Sequence, residues 1–341
     1  MAVAGYDRPL EWLDLPAPEP RPRWAILEVL TCGVCATDVK TARGRMPFSE
    51  ELRLPHVPGH EICARVVAAD PPVLESGTVV VVYHLWPCRR CERCRAGVEQ
   101  LCLEPVGWTG FKTAGGFQQQ LAAPIDRLAI VPPGIDPVHA APLTCAIGTG
   151  YRAVVTRARA KPGSKLVIIG AGGVGIHALQ IARALGAQVV GLDVSERAIE
   201  VAASLGLEVV AAGQPDAEDR IREALGGPAD AVVDTVGTSA TLQRAFRLAR
   251  PAGRIVGVGY SVASEIQLPT ARFVLEEVEL VGSRYVSMDE LDRAIAMVAM
   301  GQVKPVIDRV LPLERANEAL DALDAGEVVG RIVLDVAGAA S

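Results

Sequence analysis

No apolar run in the 341 residues reaches the ~18 that a membrane-spanning helix needs, and the opening stretch, MAVAGYDRPLEW, has no basic-then-apolar leader. A membrane protein or a secreted one is not expected, and the chain is expected to stay in the cytoplasm. Positive charge is also scarce: Lys+Arg number 34 against 40 Asp+Glu, a formal net charge of -6. A nucleic-acid or anionic-membrane surface would need a basic face, so neither partner is expected and a small neutral molecule is. There is no internal repeat and no low-complexity linker. What remains is a soluble globular profile, 50% hydrophobic and 22% charged, in a chain long enough for two domains.

The most informative stretch is Lys165 to Asp193, KLVIIGAGGVGIHALQIARALGAQVVGLD. Leu166 to Ile169 is continuously apolar and β-branched, as a strand buried on both faces of a parallel sheet should be. Gly170, Gly172 and Gly175, with Gly173 between them, then supply G-x-G-x-x-G. The first glycine bends the chain, the second lets a pyrophosphate approach the backbone, and the third lets helix press on strand. A helix with Val174, Ala178, Ile181, Ala182 and Leu185 at helical spacing follows, and its N-terminal amides favour an anion. The next strand, Gln188 to Leu192, ends at Asp193, placed to accept hydrogen bonds from two ribose hydroxyls. Together these features predict dinucleotide binding. The carboxylate favours NAD over NADP, because a 2′-phosphate would set like charges together. Arg197, four residues on, could turn toward such a phosphate.

Four of the eight cysteines fall within fifteen residues, as Cys88-x2-Cys91-x2-Cys94-x7-Cys102, with Arg89, Arg90, Arg93 and Arg95 between them. In a cytosolic chain this clustering reads as metal ligation. Four thiolates form a closed tetrahedral shell, so the expected role is structural zinc. An iron–sulfur cluster is the rival reading, but its bacterial ligand run ends in a three-residue gap and a Pro, where this chain has seven residues and then Leu103. Upstream, Cys35, Thr37 and Asp38 are followed by His60 and Glu61; each alone is an ordinary structural residue.

The region through about Ala123 has short β-branched runs punctuated by Pro and Gly: Trp24 to Leu30, Ile62 to Ala68, Val79 to Tyr83 and Phe117 to Ala122. These predict a mostly antiparallel β domain. Past Cys145 the pattern predicts a helix over Thr149 to Arg159. Strands follow at Lys165 to Ile169, Gln188 to Leu192, Glu208 to Val210, Ala231 to Asp234, Arg254 to Val258 and Glu279 to Val281, with helices between. That alternation predicts a doubly wound parallel sheet. Helices over Asp289 to Met300 and Leu313 to Leu323, a strand over Gly330 to Asp335, and a disordered Ala/Gly tail are expected to close the chain.

With these motifs in view, Gly33-Val34-Cys35-x-Thr37-Asp38, Gly59-His60-Glu61, the cysteine lobe, Cys145 leading into Thr149-Gly150-Tyr151, and the glycine turn, the sequence resembles the zinc-containing alcohol dehydrogenases of the medium-chain dehydrogenase/reductase family. The resemblance covers nearly the whole chain. It implies a Rossmann domain, 146–282, inserted in a GroES-like catalytic domain made of 1–145 plus 283–341, with a catalytic zinc in the cleft between them. The implied ligands of that zinc are Cys35, His60 and Cys145, with Glu61 close behind and able to ligate transiently. Asp38 is the implied acceptor for the His60 imidazole. Thr37 is the implied start of a proton relay, whose far end carries Lys40 where many relatives have His. Ala36 replaces a basic side chain that many relatives set against the pyrophosphate. The resemblance further implies Arg331 at that phosphate, Thr149 and the backbone of Val256 to Val258 around the nicotinamide, and Val174 behind it. It implies a homotetramer built from dimers.

The expected activity is thus reversible hydride transfer between an alcohol and NAD, giving an aldehyde or ketone, with two zinc ions per chain. A polyol or acyl-CoA-linked alcohol is an alternative substrate. Zinc-free quinone or enoyl reductases are a rival within the superfamily, and a metal- or redox-sensing nucleotide-binding protein is a rival from another class. Cys32 and Cys63 are expected to be small buried hydrophobes, and His177 a surface or packing residue. His84 and Trp86 line the substrate pocket or serve as packing.

Overall fold

The computed structural model describes residues 1–338, so the last residues of the expected tail, 339–341, lie outside it. The chain separates into two compact units. The first comprises Met1–Cys145, Val286–Ala299 and the chain from Pro305 onward; the second comprises Ala146–Tyr285 and Met300–Lys304.

The first unit is built on β1 (Trp24–Val34), β2 (Glu61–Ala69), β3 (Val79–Val82), β4 (Leu85–Trp86), β5 (Gly107–Trp108), β6 (Gln120–Pro124) and β7 (Leu128–Ile130). β1 is the hub: β2 and β6 pair with it antiparallel, and β3 and β7 extend the sheet beyond β2. β4 and β5 form a separate two-stranded ribbon on either side of the cysteine lobe. Val, Ile, Leu and Ala from the sheet, with Trp86 and Phe117, close a continuous core.

The second unit contributes β8 (Lys165–Ile169), β9 (Gln188–Asp193), β10 (Val209–Ala211), β11 (Ala229–Asp234), β12 (Ala249–Gly257) and β13 (Glu279–Gly282). They form one parallel sheet in the order β10-β9-β8-β11-β12-β13, the doubly wound arrangement in which strand order reverses beside β8. The central strands β8 and β11 are almost entirely buried, which is why they read as unbroken apolar runs.

The chain then returns to the first sheet. The helix Met288–Ala299 precedes β14 (Ile307–Pro312), which lies parallel to β15 (Arg331–Asp335), and β15 pairs antiparallel with β1. The sequence pattern does not reveal β14, a half-exposed strand lying between Pro305 and Pro312. The expected helix over Leu313 to Leu323 is a 3-10 turn, Leu313–Arg315, followed by a helix over Ala316–Asp324. The helix expected from Thr149 to Arg159 starts earlier and changes character. It is α-helical over Ala146–Tyr151 and widens to a π-helix over Arg152–Arg157. Gly150 lets its first part press on the dinucleotide helix, since a Cβ there would lie 3.3 Å from the Ala178 amide.

Candidate metal centres and dinucleotide turn

Cys35 ends β1's excursion and caps the short helix Ala36–Ala42; its backbone N–H donates to Asp38 Oδ2 at 2.8 Å. The other oxygen of Asp38 accepts from Gly59 N at 3.1 Å and from His60 Nδ1 at 3.2 Å. One carboxylate, buried to 0% exposure, therefore ties the loop bearing Cys35 to the loop bearing His60. Because a carboxylate only accepts, the proton of His60 sits on Nδ1 and Nε2 is left with a lone pair for a metal. Phe111, which the sequence does not single out, and His84, expected as pocket lining or packing, wall the His60 ring at centroid distances of 4.8 Å and 5.8 Å.

Cys35, His60, Glu61 and Cys145 each place one ligand atom so that all lie within 4.8 Å of one another. Two sulfurs, one imidazole and a nearby carboxylate suit zinc, and three firm ligands leave a fourth position open. Electrostatics agree with a cation site. The Cys145 thiol and the Arg331 guanidinium hold Cys35 well below the ordinary thiol range, while the same proximity raises Cys145. Burial works against a charged His60, yet Asp38 and Cys35 together outweigh it and raise the imidazole's pKa, so a metal at Nε2 would take the place of a proton there. Burial raises Glu61 despite the opposing charge of Arg331.

Arg331, expected at the cofactor phosphate, lies 3% exposed with Nε donating to the two oxygens of Glu61 at 2.8 and 3.0 Å and Nη2 3.7 Å from Cys35 Sγ. Gly33 makes room for that carboxylate, because a Cβ there would lie 2.5 Å from Glu61 Oε2. Thr37 Oγ1 lies 3.6 Å from Cys35 Sγ, and Lys40 is half-buried in the last turn of the same helix, where burial lowers its pKa.

The second cluster gathers Cys88, Cys91, Cys94 and Cys102. Cys91 Sγ is 3.4 Å from Cys94 Sγ and 4.0 Å from Cys102 Sγ. Backbone amides point at the sulfurs, Cys88 N at Cys102 Sγ (3.2 Å) and Cys91 N at Cys88 Sγ (3.4 Å), as suits thiolates. Backbone amides of Leu103 and Cys94 pull Cys91 down to about 6, whereas burial and its thiol neighbours push Cys94 up to about 12. Four thiols so close cannot all ionise unaided; a divalent cation resolves the conflict.

In the second unit the turn after β8 assigns each glycine its task. Gly170 adopts φ +87°. A Cβ at Gly172 would meet nothing within 4 Å, leaving the space a ligand needs, and one at Gly175 would overlap the carbonyl oxygen of Gly170. Gly173 and Val174 are partly exposed at the start of the helix Gly175–Ala184, and His177 is a packing residue whose Nδ1 donates to Gly173 O at 2.7 Å. Asp193 accepts from Ala171 N at 2.6 Å and from Ser195 N at 2.8 Å, which fixes the carboxylate at the mouth of the turn. Beside it opens a cavity of about 380 Å³ walled by Leu192, Val194, Val236, Thr241 and Arg244, none of which stood out in the sequence. Arg197 is exposed in the first turn of the helix Glu196–Ser204. Thr149 is buried, Val256 is buried within β12, and Val258 donates its amide to Asp234 O at 2.8 Å just beyond it.

Cys32 and Cys63 are fully buried, as small hydrophobes should be, and burial pushes Cys63 up to about 12. Trp86 is core packing, edge-on to Trp24 at 5.0 Å.

Residues 21–133 match the alcohol dehydrogenase GroES-like domain and residues 173–300 the zinc-binding dehydrogenase domain. An alcohol dehydrogenase of Geobacillus stearothermophilus is 33% identical over 338 residues, 98% of each chain. The chain belongs to the zinc-containing alcohol dehydrogenases of the medium-chain dehydrogenase/reductase family. Within that family, an NAD-dependent alcohol dehydrogenase of Sulfurisphaera tokodaii is also 33% identical, over 98% of this chain and 99% of its own. The crystal structure of an NAD-dependent alcohol dehydrogenase superposes with a TM-score of 0.92 at 31% identity, covering 98% of both chains.

Proposed function

We propose that this protein is an oxidoreductase that reversibly transfers a hydride between a small alcohol and NAD, giving an aldehyde or ketone, with two zinc ions per chain of unequal role. The observation that carries this reading is the set Cys35, His60 and Cys145, converging with Glu61 held aside by Arg331. A zinc ion in that shell supplies Lewis acidity to an alcohol oxygen, and a nicotinamide supplies the hydride acceptor. The chain's residues do the rest. Asp38 keeps the His60 proton on Nδ1. Thr37, whose hydroxyl both donates and accepts, carries the alcohol proton away from the metal, and half-buried Lys40 or water ends the relay. Glu61 would be the transient ligand of the metal and Arg331 the cation for the cofactor phosphate; in the structure the two are paired with each other. The four-thiolate lobe is the structural site.

Gly170, Gly172, Gly173, Val174 and Gly175 hold the pyrophosphate, Asp193 the ribose, and Thr149 with the backbone of Val256 to Val258 the nicotinamide. Arg197 is the one cation beside Asp193 in sequence that could favour a 2′-phosphate. The catalytic unit is proposed as 1–145 plus 283–341 and the nucleotide unit as 146–282; the compact units differ in keeping 283–285 and Met300–Lys304 with the nucleotide unit.

A homotetramer in the cytoplasm is proposed, built from dimers. Edge strand β13 and the exposed side chains of Val262, Phe273, Val274 and Leu275, the last 82% exposed, support a second copy as the covering partner. Among the described residues no helix is long and apolar enough to cross a membrane.

NADH production across a panel of alcohols, with and without a chelator, tests the activity and names the substrate, whether a primary or secondary alcohol, a polyol or an acyl-CoA-linked alcohol. Metal analysis should return two zinc ions per chain. Turnover unaffected by complete zinc removal would return the protein to the zinc-free reductases, and light scattering that finds a monomer at micromolar concentration would remove the tetramer.

A further inference from the structure

The parallel sheet of the second unit has two edges. The glycine turn and Asp193 occupy the carboxyl edge, beyond the ends of β8 and β9. At the opposite edge, where β8, β11 and β13 begin, lies a second cavity of about 380 Å³ that no step of the proposed reaction uses. Its volume falls in the range of small-molecule sites, roughly 300–1,000 Å³.

The charges that line it do not cancel. Arg159, Lys161, Arg250 and Arg254 face Asp230 and Glu279, four cations against two carboxylates. Both carboxylates are already engaged. Arg250 Nε donates to Asp230 Oδ1 at 2.6 Å, and Lys165 N donates to Asp230 Oδ2 at 2.8 Å. Glu279 accepts from Arg254, whose side chain is 8% exposed and whose other arm donates to Arg157 O at 3.1 Å. Among the described residues neither Arg159 nor Lys161 has a side-chain hydrogen bond or an ion pair, although Glu279 feels Arg159 as a nearby charge.

The backbone supplies an independent sign. The π-helix Arg152–Arg157 is capped by Ala158, and the next residue, Arg159, adopts φ +57°. Glycine usually holds this left-handed position after a helix, because a Cβ there costs on the order of 1 kcal/mol. Ala252, on the other wall of the cavity, sits at φ +53°. Two of the seven described non-glycine residues with positive φ thus line this one cavity, and Arg159 brings an unpaired guanidinium to it.

We propose that this cavity binds a small dianionic metabolite, a phosphate monoester or a dicarboxylate, between Arg159 and Lys161, with the Arg254–Glu279 and Arg250–Asp230 pairs as its floor. The ion-paired arginines hold the floor rigid, and the two unpaired cations supply the charge-assisted hydrogen bonds. This site does not depend on the proposed reaction, since it uses none of the metal or dinucleotide residues.

The test is calorimetric titration of the full chain with inorganic phosphate and, separately, succinate, at ionic strength held constant with sodium chloride. Each titration is run with and without saturating NADH, which fills the glycine turn. Binding with a dissociation constant of about 1 mM, retained with NADH, is the expected result, weakening about tenfold for each of Arg159→Gly and Lys161→Ser. Arg159→Gly relieves the strained backbone, so it should raise Tm while it weakens the anion, a combination that misfolding cannot mimic. Phosphate and succinate binding alike means the site reads charge, and phosphate alone means it reads a tetrahedral oxyanion; both support it. Binding that NADH abolishes and the two substitutions leave intact would place the anion at the glycine turn and overturn the proposal. So would no binding of either anion to the NADH-saturated chain.

Discussion

Arg331 and Glu61 stand 270 residues apart in the chain and meet as a buried pair, Nε on both carboxylate oxygens, beside the sulfur of Cys35. The cation holds a carboxylate that lies in the same cluster as Cys35, His60 and Cys145. Removing one partner of such a pair strands a buried charge, which costs about 3–5 kcal/mol. Arg331→Met should therefore lower Tm and change the zinc stoichiometry or exchange rate, and the double change Arg331→Met with Glu61→Gln should recover much of the loss. Thermal melts with metal analysis decide it; a single Arg331→Met variant as stable as the parent would contradict the pairing.

The two metal sites should fail differently. Cys145→Ala should cut turnover by about three orders of magnitude while the protein still folds and binds NADH, because one ligand of the open shell is gone. Cys91→Ala should cost roughly 3 kcal/mol, about 6–12 °C in Tm, because it opens a four-thiol cluster that shares no residue with the Cys35, His60 and Cys145 set. A Cys91 variant with an unchanged melt and lost turnover would reverse the assignment of roles.

The glycine turn gives a contrast within three residues. Gly175→Ala drives a methyl into the Gly170 carbonyl and should destabilise the nucleotide unit by a few kcal/mol, whereas Gly172→Ala projects into open space and should fold normally. The Gly172 variant should instead raise the NAD Kd about tenfold or more, since the methyl occupies the ligand's approach. Urea melts and NADH fluorescence titrations separate the two.

Asp193 should make NAD the preferred cofactor. Two unit charges 4 Å apart at an effective dielectric of about 20 repel by ~4 kcal/mol, which partial exposure reduces to about 2–3, or thirty- to a hundredfold in kcat/KM. Asp193→Gly should weaken NAD and narrow the ratio. Equal kcat/KM for both cofactors in the parent protein would refute the assignment.

Acid stability should carry the mark of Glu218. Burial raises its pKa, but Arg247, which grips it at 2.7 and 3.0 Å, together with Arg222 and Arg244, outweighs that and holds it below the usual carboxylate range. A carboxyl depressed in the folded state stabilises fully above its unfolded pKa, about 4.3, and loses that contribution as pH falls through the folded value. Glu218→Gln should thus cost about 1 kcal/mol at pH 7 and progressively less below pH 4, as urea midpoints across that range would record.

How much of this was legible in the sequence depended on whether the signal was local. The strand-turn-helix around Gly170 was legible because three glycines, a β-branched run and an acid lie within thirty residues, and the clustering of Cys88, Cys91, Cys94 and Cys102 because the four thiols do. The hub role of β1 and the partnership of Arg331 with Glu61 were not, since pairing across three hundred residues leaves no periodic trace. β14 leaves no signal in the sequence because only Leu311 of its six residues is buried, so no clean alternation appears. The π-helix after Tyr151 has the composition of an ordinary helix. Phe111 acts only through contact with the His60 ring, which nothing in its sequence neighbourhood announces; Gly33 belongs to the Gly33-Val34-Cys35 motif, but its task of clearing space for Glu61 is a contact the sequence does not show.

The register of β1 against β15, Thr31 with Asp335 through Val34 with Ile332, bears on how the protein is made. On the ribosome the dinucleotide unit, nearly all of it one continuous stretch, can finish folding while the tail of the chain is still in the exit tunnel. The first unit cannot, because its hub strand waits for a partner that is synthesised last, and Arg331 arrives with that partner. Until then Cys35, Glu61 and Cys145 are a cluster of acids without their counter-cation. Nascent chains stalled before residue 331 should accordingly hold a folded nucleotide unit beside an incomplete metal site, so that synthesis itself orders the two halves in time.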